Sequence, residues 1–196
     1  ESLATGTPIN GTIGVPSSLW QSRLGHKERT LPMTTPQLTI DGQVEVPLVL
    51  TQQDLAGFDS SEQVVDVSRF HPTRSGDGVT LESLLSRVIP TASASYLTLH
   101  ATADDFAASV PLEPIRGEGI LVHTVAGQPM TAEQGGPFRF LIKDPAACHT
   151  DELDDCANVK FVDRIELTAG PGRDTRPTDD EEHEELHRGQ DEGLAP

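Results

Sequence analysis

Cysteine is scarce, with two in 196 residues, too few for a disulfide scaffold. Cations are scarce as well: 14 Lys+Arg against 31 Asp+Glu leave a formal net charge of −17. A chain so negative is repelled by phosphate backbones, and its cations form no patch interleaved with aromatics, so nucleic acid is not an expected partner. Aromatic residues make up 4% of the chain, with a single tryptophan. No apolar run approaches the roughly 18 to 20 residues that cross a bilayer. The stretch ESLATGTPINGTIG at the start has neither the basic beginning nor the apolar core of a secretory leader. A soluble protein without a membrane partner is expected, its compartment left open. Phosphate-binding loops of the Walker type, Gly-x-Gly-x-x-Gly fingerprints and Gly-x-Ser-x-Gly elbows are missing too, which removes support for nucleotide-dependent chemistry and for a hydrolase of the elbow type.

Turn formers, by contrast, are plentiful. Seventeen Gly and fifteen Pro suit a strand-rich or mixed domain better than a helical bundle. Three regions follow from composition. Residues 1–36 are rich in Gly, Ser, Thr and Pro without a sustained period, and read as an extended N-terminal arm. Ser18 could cap a short helix there, and Trp20 would anchor the arm across the domain or a partner subunit, which makes a homo-oligomer possible. Residues 37–169 form the domain. Residues 170–196 are dominated by Asp and Glu, with Leu186 and Leu194 their only large apolar side chains, and read as an acidic disordered tail. His183 and His187 would share a helical face, but a charged tail explains them as well.

Within the domain, QLTI (37–40) reads as a strand, Asp41-Gly42 as a turn and VEVPLVL as an extended edge segment around Pro47. Thr51 and Asp54 have the spacing of a capping pair for a short helix. Val64, Val65 and Val67 suggest a strand entering the polar loop 68–78, and Thr80–Leu85 has helical apolar spacing. YLTLHA, FAASVPL and ILVHTV read as strands. FRFLI is a strand with Phe138, Phe140 and Ile142 on one side, and VKFVDRIELT closes the domain as another.

Several groups could carry chemistry. Arg69, His71 and Arg74 form a basic cluster in an acidic chain, suited to an oxyanion or simply to neutralising Asp66 and Asp77. Ser68, His71 and Asp66 contain the residue types of a triad without its sequence context. His100 and His123 fall inside strands and read as half-buried histidines with satisfied nitrogens. Gly135 and Gly136 permit close backbone approach and could offer N–H groups to a phosphate, or could simply form a tight turn. Cys148 and Cys156, with His149, Asp151, Asp154 and Asp155, read first as a disulfide or as free structural thiols, and second as a metal site. The short Cys-x-x-Cys spacing of structural zinc is missing, so no metal is expected there.

The order of features resembles the molybdopterin-binding domain of the sulfite oxidase family. QLTIDGQVEVPLVLTQQDL, the pair GVTLESLL and YLTLHATADDFAASVPLE, and above all AGQPMTAEQGGPFRFLIKD followed by VKFVDRIELT carry the likeness. The resemblance implies a sheet-rich mixed α+β domain built around a molybdenum cofactor, whose metal takes one cysteine thiolate from the loop after the strand represented here by VVDV. This chain has no cysteine before Cys148, and Ser68 stands near the ligand position, with Arg69 the neighbouring possibility. Gln134 stands where the family has histidine. Arg139 and Lys160 match positions from which the family supplies polar or cationic contacts near the cofactor, beside Gly135 and Gly136, or could equally be salt-bridged surface residues in so acidic a chain. Serine is a harder and far less acidic donor than cysteine. The expectation is therefore a sulfite oxidase-like fold that acts as a binding or structural module, with no bound cofactor, no catalysis and a small anionic ligand at most. A molybdenum-molybdopterin oxidoreductase using Ser68, and a metal-binding protein using the 148–156 loop, are the alternatives.

Overall fold

The computed structural model describes residues 35–148 and 157–177. Expectations for the arm's Ser18 and Trp20, for Cys156 with its neighbouring His149 and aspartates, and for His183 and His187 lie outside those residues. The described residues belong to one unit that begins at Thr35, and they form two five-stranded sheets.

The first sheet has the order β2-β1-β10-β5-β6, from β1 (Gln37–Gly42), β2 (Leu48–Thr51), β5 (Tyr96–Ala101), β6 (Phe106–Pro111) and β10 (Arg164–Thr168). Only the β1–β10 pairing is parallel, with Ile40 beside Ile165. In the second, β3 (Gln63–Val64) pairs with β4 (Asp77–Thr80) and β4 with β7 (Gly119–Val125). The far edge of β7 is shared by β8 (Gln128–Pro129) and β9 (Arg139–Ile142). The sheet-rich α+β class read from the sequence is the class observed.

Period-two alternation explains which face of each strand is buried. Leu38 and Ile40 of β1, Leu97 and Leu99 of β5, and Ile165 and Leu167 of β10 point into one core together with Leu121, Phe138, Phe140 and Ile142. Helix α2 (Leu81–Val88) adds Leu81, Leu84, Leu85 and Val88, the i, i+3, i+4 set visible in the sequence. Thr80 caps it: its Oγ1 accepts the Ser83 N–H at 3.3 Å. Arg87 of α2 makes a two-bond contact with Glu62, at 2.7 and 2.9 Å, and stacks over Phe58, 3.7 Å from the ring centroid.

The second sheet is buried on both faces. Opposite the main core, Ile120, Val122 and Leu141 meet Val64, Val67 and Met130 in a smaller cluster, with Phe70 packed against it. That cluster holds the 66–76 loop onto the outer face. Here the expected strand at 64–67 is shorter than the valines suggest. It ends at Val64, because Asp66 takes φ +55° and caps a 3-10 turn over Val67–Arg69.

The final strand is also shorter than VKFVDRIELT implies. It begins at Arg164, because Phe161 sits at φ +56° and turns the chain. Residues 159–162 bond instead to the other elements: Phe140 N–H to Val159 O at 2.8 Å, Phe161 N–H to Gly135 O and Val162 N–H to Phe138 O at 2.9 Å. After β10 the chain stays on the sheet for several residues past the compositional boundary at 170. Thr175 exchanges backbone and side-chain bonds with Ala107, and the Gly172 N–H donates to Ser109 Oγ at 2.8 Å. Arg176 reaches Ser109 O at 3.0 Å. The strap satisfies the free edge of β6, a role that composition does not reveal. No helix among the described residues is long and apolar enough to cross a membrane.

Candidate functional site

The turn between β8 and β9 is assembled from its own side chains. Gln134 Oε1 accepts the Thr131 N–H at 2.9 Å and the Thr131 hydroxyl at 3.3 Å, closing a 3-10 turn over Ala132–Gln134. Gln134 thus serves as an exposed turn brace at the position where the resembled family has histidine. Gly135 follows at φ +84°, left-handed backbone that favours glycine. Its N–H bonds to Ala132 O at 2.8 Å and that of Gly136 to Thr131 O at 2.8 Å. Of the two readings open in the sequence, amides offered to a phosphate or a tight turn, the bonds fit the turn: both N–H groups are spent within it. What the glycines supply is proximity. A Cβ on Gly135 would collide with the guanidinium of Arg139, and one on Gly136 would stand 2.6 Å from Met130 O.

Arg139 opens β9 on the outer face of the second sheet, paired across the ladder with Val122. Its Nε is buried without a hydrogen-bond partner. Burial, and then the nearby charge of Arg74, hold the guanidinium below its ordinary pKa. Lys160, on the segment that Phe161 ties to Gly135, is likewise lowered by burial and by Arg139 and Arg74, with Asp104 opposing. Three cations therefore crowd one place in a chain of net charge −17. Among the described residues none of the three forms an ion pair, although other arginines, such as Arg87 and Arg164, are paired. Like charges held together, with only Asp104 opposing them among the described residues, suit an anion by charge.

The 66–76 loop places the remaining candidates differently. The Ser68 N–H bonds to Asp66 Oδ1 at 3.0 Å, and the contact with Ser68 holds that carboxylate below its ordinary pKa. His71 Nε2 lies 2.6 Å from Ile142 O, at the far end of β9. No triad forms, because the imidazole does not stand between serine and aspartate. Arg69 is exposed and stacks on Phe70 at 4.7 Å from the centroid. From the basic cluster read in the sequence, only Arg74 joins Arg139 and Lys160. Sequence reasoning left Arg74 apart from these two because 65 positions separate it from Arg139 along the chain.

The other candidates lie elsewhere. His100 Nε2 meets Glu166 Oε2 at 3.0 Å, the satisfied half-buried histidine expected. His123 departs from expectation: it is buried and neither ring nitrogen has a partner, so burial lowers its pKa. It alternates with Val122 on β7 and so faces away from Arg139. The Cys148 thiol is buried and bonds to Asp144 O at 3.6 Å, at the Ile142 end of β9. Burial, Glu118 and Asp144 all raise its pKa, which is the reverse of what a metal thiolate needs. No group of three or more metal-ligating side chains occurs among the described residues.

Comparison with known proteins gives a consistent result. Residues 74–175, just over half the chain, match the family described as "Oxidoreductase molybdopterin binding domain". The search of curated proteins returns no match. Among solved structures, the sulfane dehydrogenase SoxCD from Paracoccus pantotrophus aligns with a TM-score of 0.50 and 21% identity. That alignment covers 69% of this chain and 39% of the SoxCD chain, and at such identity the likeness is one of fold.

Proposed function

The chain belongs to the oxidoreductase molybdopterin binding domain family, and from that membership we propose that it is an anion-binding module on this fold that does not carry out molybdenum chemistry. The half-buried Arg139, whose Nε lacks a hydrogen-bond partner, beside Arg74 and Lys160 carries the reading. A molybdopterin ends in a phosphate, and three neighbouring cations match that group by charge and by the paired donors of a guanidinium. Arg139, Lys160 and Arg74 would hold the phosphate, while Gly135 and Gly136 shape the wall around it. The complete cofactor supplies oxygen-atom transfer and two-electron chemistry through its metal. Among the described residues the donor set beside the cations holds no soft ligand: the Ser68 N–H is bonded to Asp66, and Cys148 is a buried thiol at the opposite end of β9. Oxygen donors alone leave such a metal short of the thiolate that suits it. The ligand is accordingly a small phosphate-bearing anion, with pterin binding without turnover as its fullest form.

The test is elemental and pterin analysis of protein made in a host that synthesises the cofactor, alongside dye reduction by sulfite. Wild-type protein is expected to carry no molybdenum and to give no turnover. Ser68→Cys, and Arg69→Cys as the neighbouring position, are expected to gain molybdenum if only the thiolate has been lost. Stoichiometric molybdenum with sulfite turnover in wild type overturns the non-catalytic reading and makes Ser68 the first ligand to examine. Stoichiometric zinc retained until chelation would move attention to the 148–156 loop.

A further inference from the structure

A residue distant in sequence from every cation governs the turn that shapes their site. The chain leaves the first sheet at Thr51, the last residue of β2 and the cap of α1 (Gln52–Ala56), and the next side chain already reaches the second sheet. Gln52 Nε2 donates to Pro137 O at 2.9 Å, His123 O at 3.1 Å and Met130 O at 3.3 Å. An amide nitrogen carries two hydrogens, so at least one is shared between two of these carbonyls. The acceptors belong to β7, to the segment leaving β8 and to the segment entering β9. Met130 O is also the atom against which Gly136 packs. One side chain therefore clasps both legs of the 130–137 turn, and the turn's tip is Gly135 against the Arg139 guanidinium.

We infer that Gln52 is a positioning residue for the anion site, holding the Gly135–Gly136 turn in the arrangement that leaves room for Arg139. The inference rests on the anion-binding reading above. Three carbonyl dipoles converge on the amide, and without a donor they would be left without this partner in a half-buried place. The turn would then relax by moving one leg outward, and Gly135 would no longer set the guanidinium's position. The capping box of Thr51 and Asp54 and the buried Leu55 fix the helix from which Gln52 reaches. Gln63 Nε2 ties the other end of that helix through Leu55 O at 2.9 Å.

The test compares Gln52→Met, which keeps length and volume without a donor, with wild type. Inorganic pyrophosphate affinity is measured by calorimetry and amide hydrogen exchange is followed residue by residue. The variant is expected to bind pyrophosphate about tenfold more weakly or worse. Exchange of the Gly135 and Gly136 amides should accelerate while β5 amides keep wild-type protection, a local pattern that general destabilisation would not produce. Should Gln52→Met fail to fold, Gln52→Asn withdraws the amide by one methylene and is expected to move both readouts in the same direction. Wild-type affinity in a folded variant, or unchanged protection of Gly135 and Gly136, overturns the inference. Wild-type protein that binds no pyrophosphate instead overturns the anion reading, and the exchange pattern then decides the clasp by itself.

Discussion

The backbone of Gly135 rests against the guanidinium of Arg139: a Cβ built on Gly135 would come within 3.1 Å of Arg139 Cζ, closer still to its nitrogen, and the glycine holds φ at +84°. A side chain at position 135 would thus strain the backbone and push the Arg139 guanidinium from its present place.

Gly135→Ala is expected to cost stability through its left-handed backbone and to weaken anion binding through displacement of Arg139. Strain of this kind is on the order of 1 to 3 kcal/mol. Chemical denaturation should show the loss, and phosphate or pyrophosphate titration should show weakened binding in the protein that remains folded. Wild-type affinity would mean that Arg139 does not need its present position.

Arg139→Met should separate binding from stability. The guanidinium is partly desolvated and has no ion-pair partner among the described residues, a costly arrangement in the absence of ligand. Thermal melts without anions should show the variant at or above the wild-type midpoint. With pyrophosphate present, only wild type should gain stability, by mass action on the native state.

His123 predicts a pH dependence. Its folded-state pKa is lowered, chiefly by burial and against the pull of Asp77. The unfolded chain therefore takes up this proton first as the pH falls. The contribution of neutral His123 is present above its unfolded pKa of about 6.5 and declines as pH drops below it, toward the lowered folded value. Melting curves from pH 8 to 5 should fall in wild type and be flatter in His123→Phe. Parallel curves would remove His123 as the cause.

The strap on β6 predicts where truncation matters. Ending the chain at Ala169 removes the bonds that Gly172, Thr175 and Arg176 make to Ser109 and Ala107, and should lower the melting temperature. Ending it at Pro177 retains them and should not. Gly172→Ala is expected to act like the shorter truncation, since a Cβ there would strike Thr98 Oγ1.

By itself the sequence determined what local pattern and local chemistry can determine. Alternation in QLTI, YLTLHA and FRFLI specified the strands and their buried faces, because side chains alternate every residue whatever lies beyond. The Thr51/Asp54 pair specified a helix start, and the Gly135-Gly136-Pro137-Phe138-Arg139 motif pointed to the family and to its cationic residue. Cysteine usage was equally plain, since the absence of a thiol before Cys148 needs no coordinates. Tertiary structure alone decided who meets whom. Arg74 belongs with Arg139 and Lys160 only because Phe70 and Val67 pin its loop on the outer face of the second sheet, and Gln52 reaches carbonyls 71 to 85 residues away only because α1 follows β2 across to that sheet. Such partnerships depend on which faces share a core, and hydrophobic burial is non-directional, so no spacing along the chain encodes them. The same reason explains the strap: Gly172, Thr175 and Arg176 look like tail by composition, and the unpaired edge of β6 made part of that tail structure.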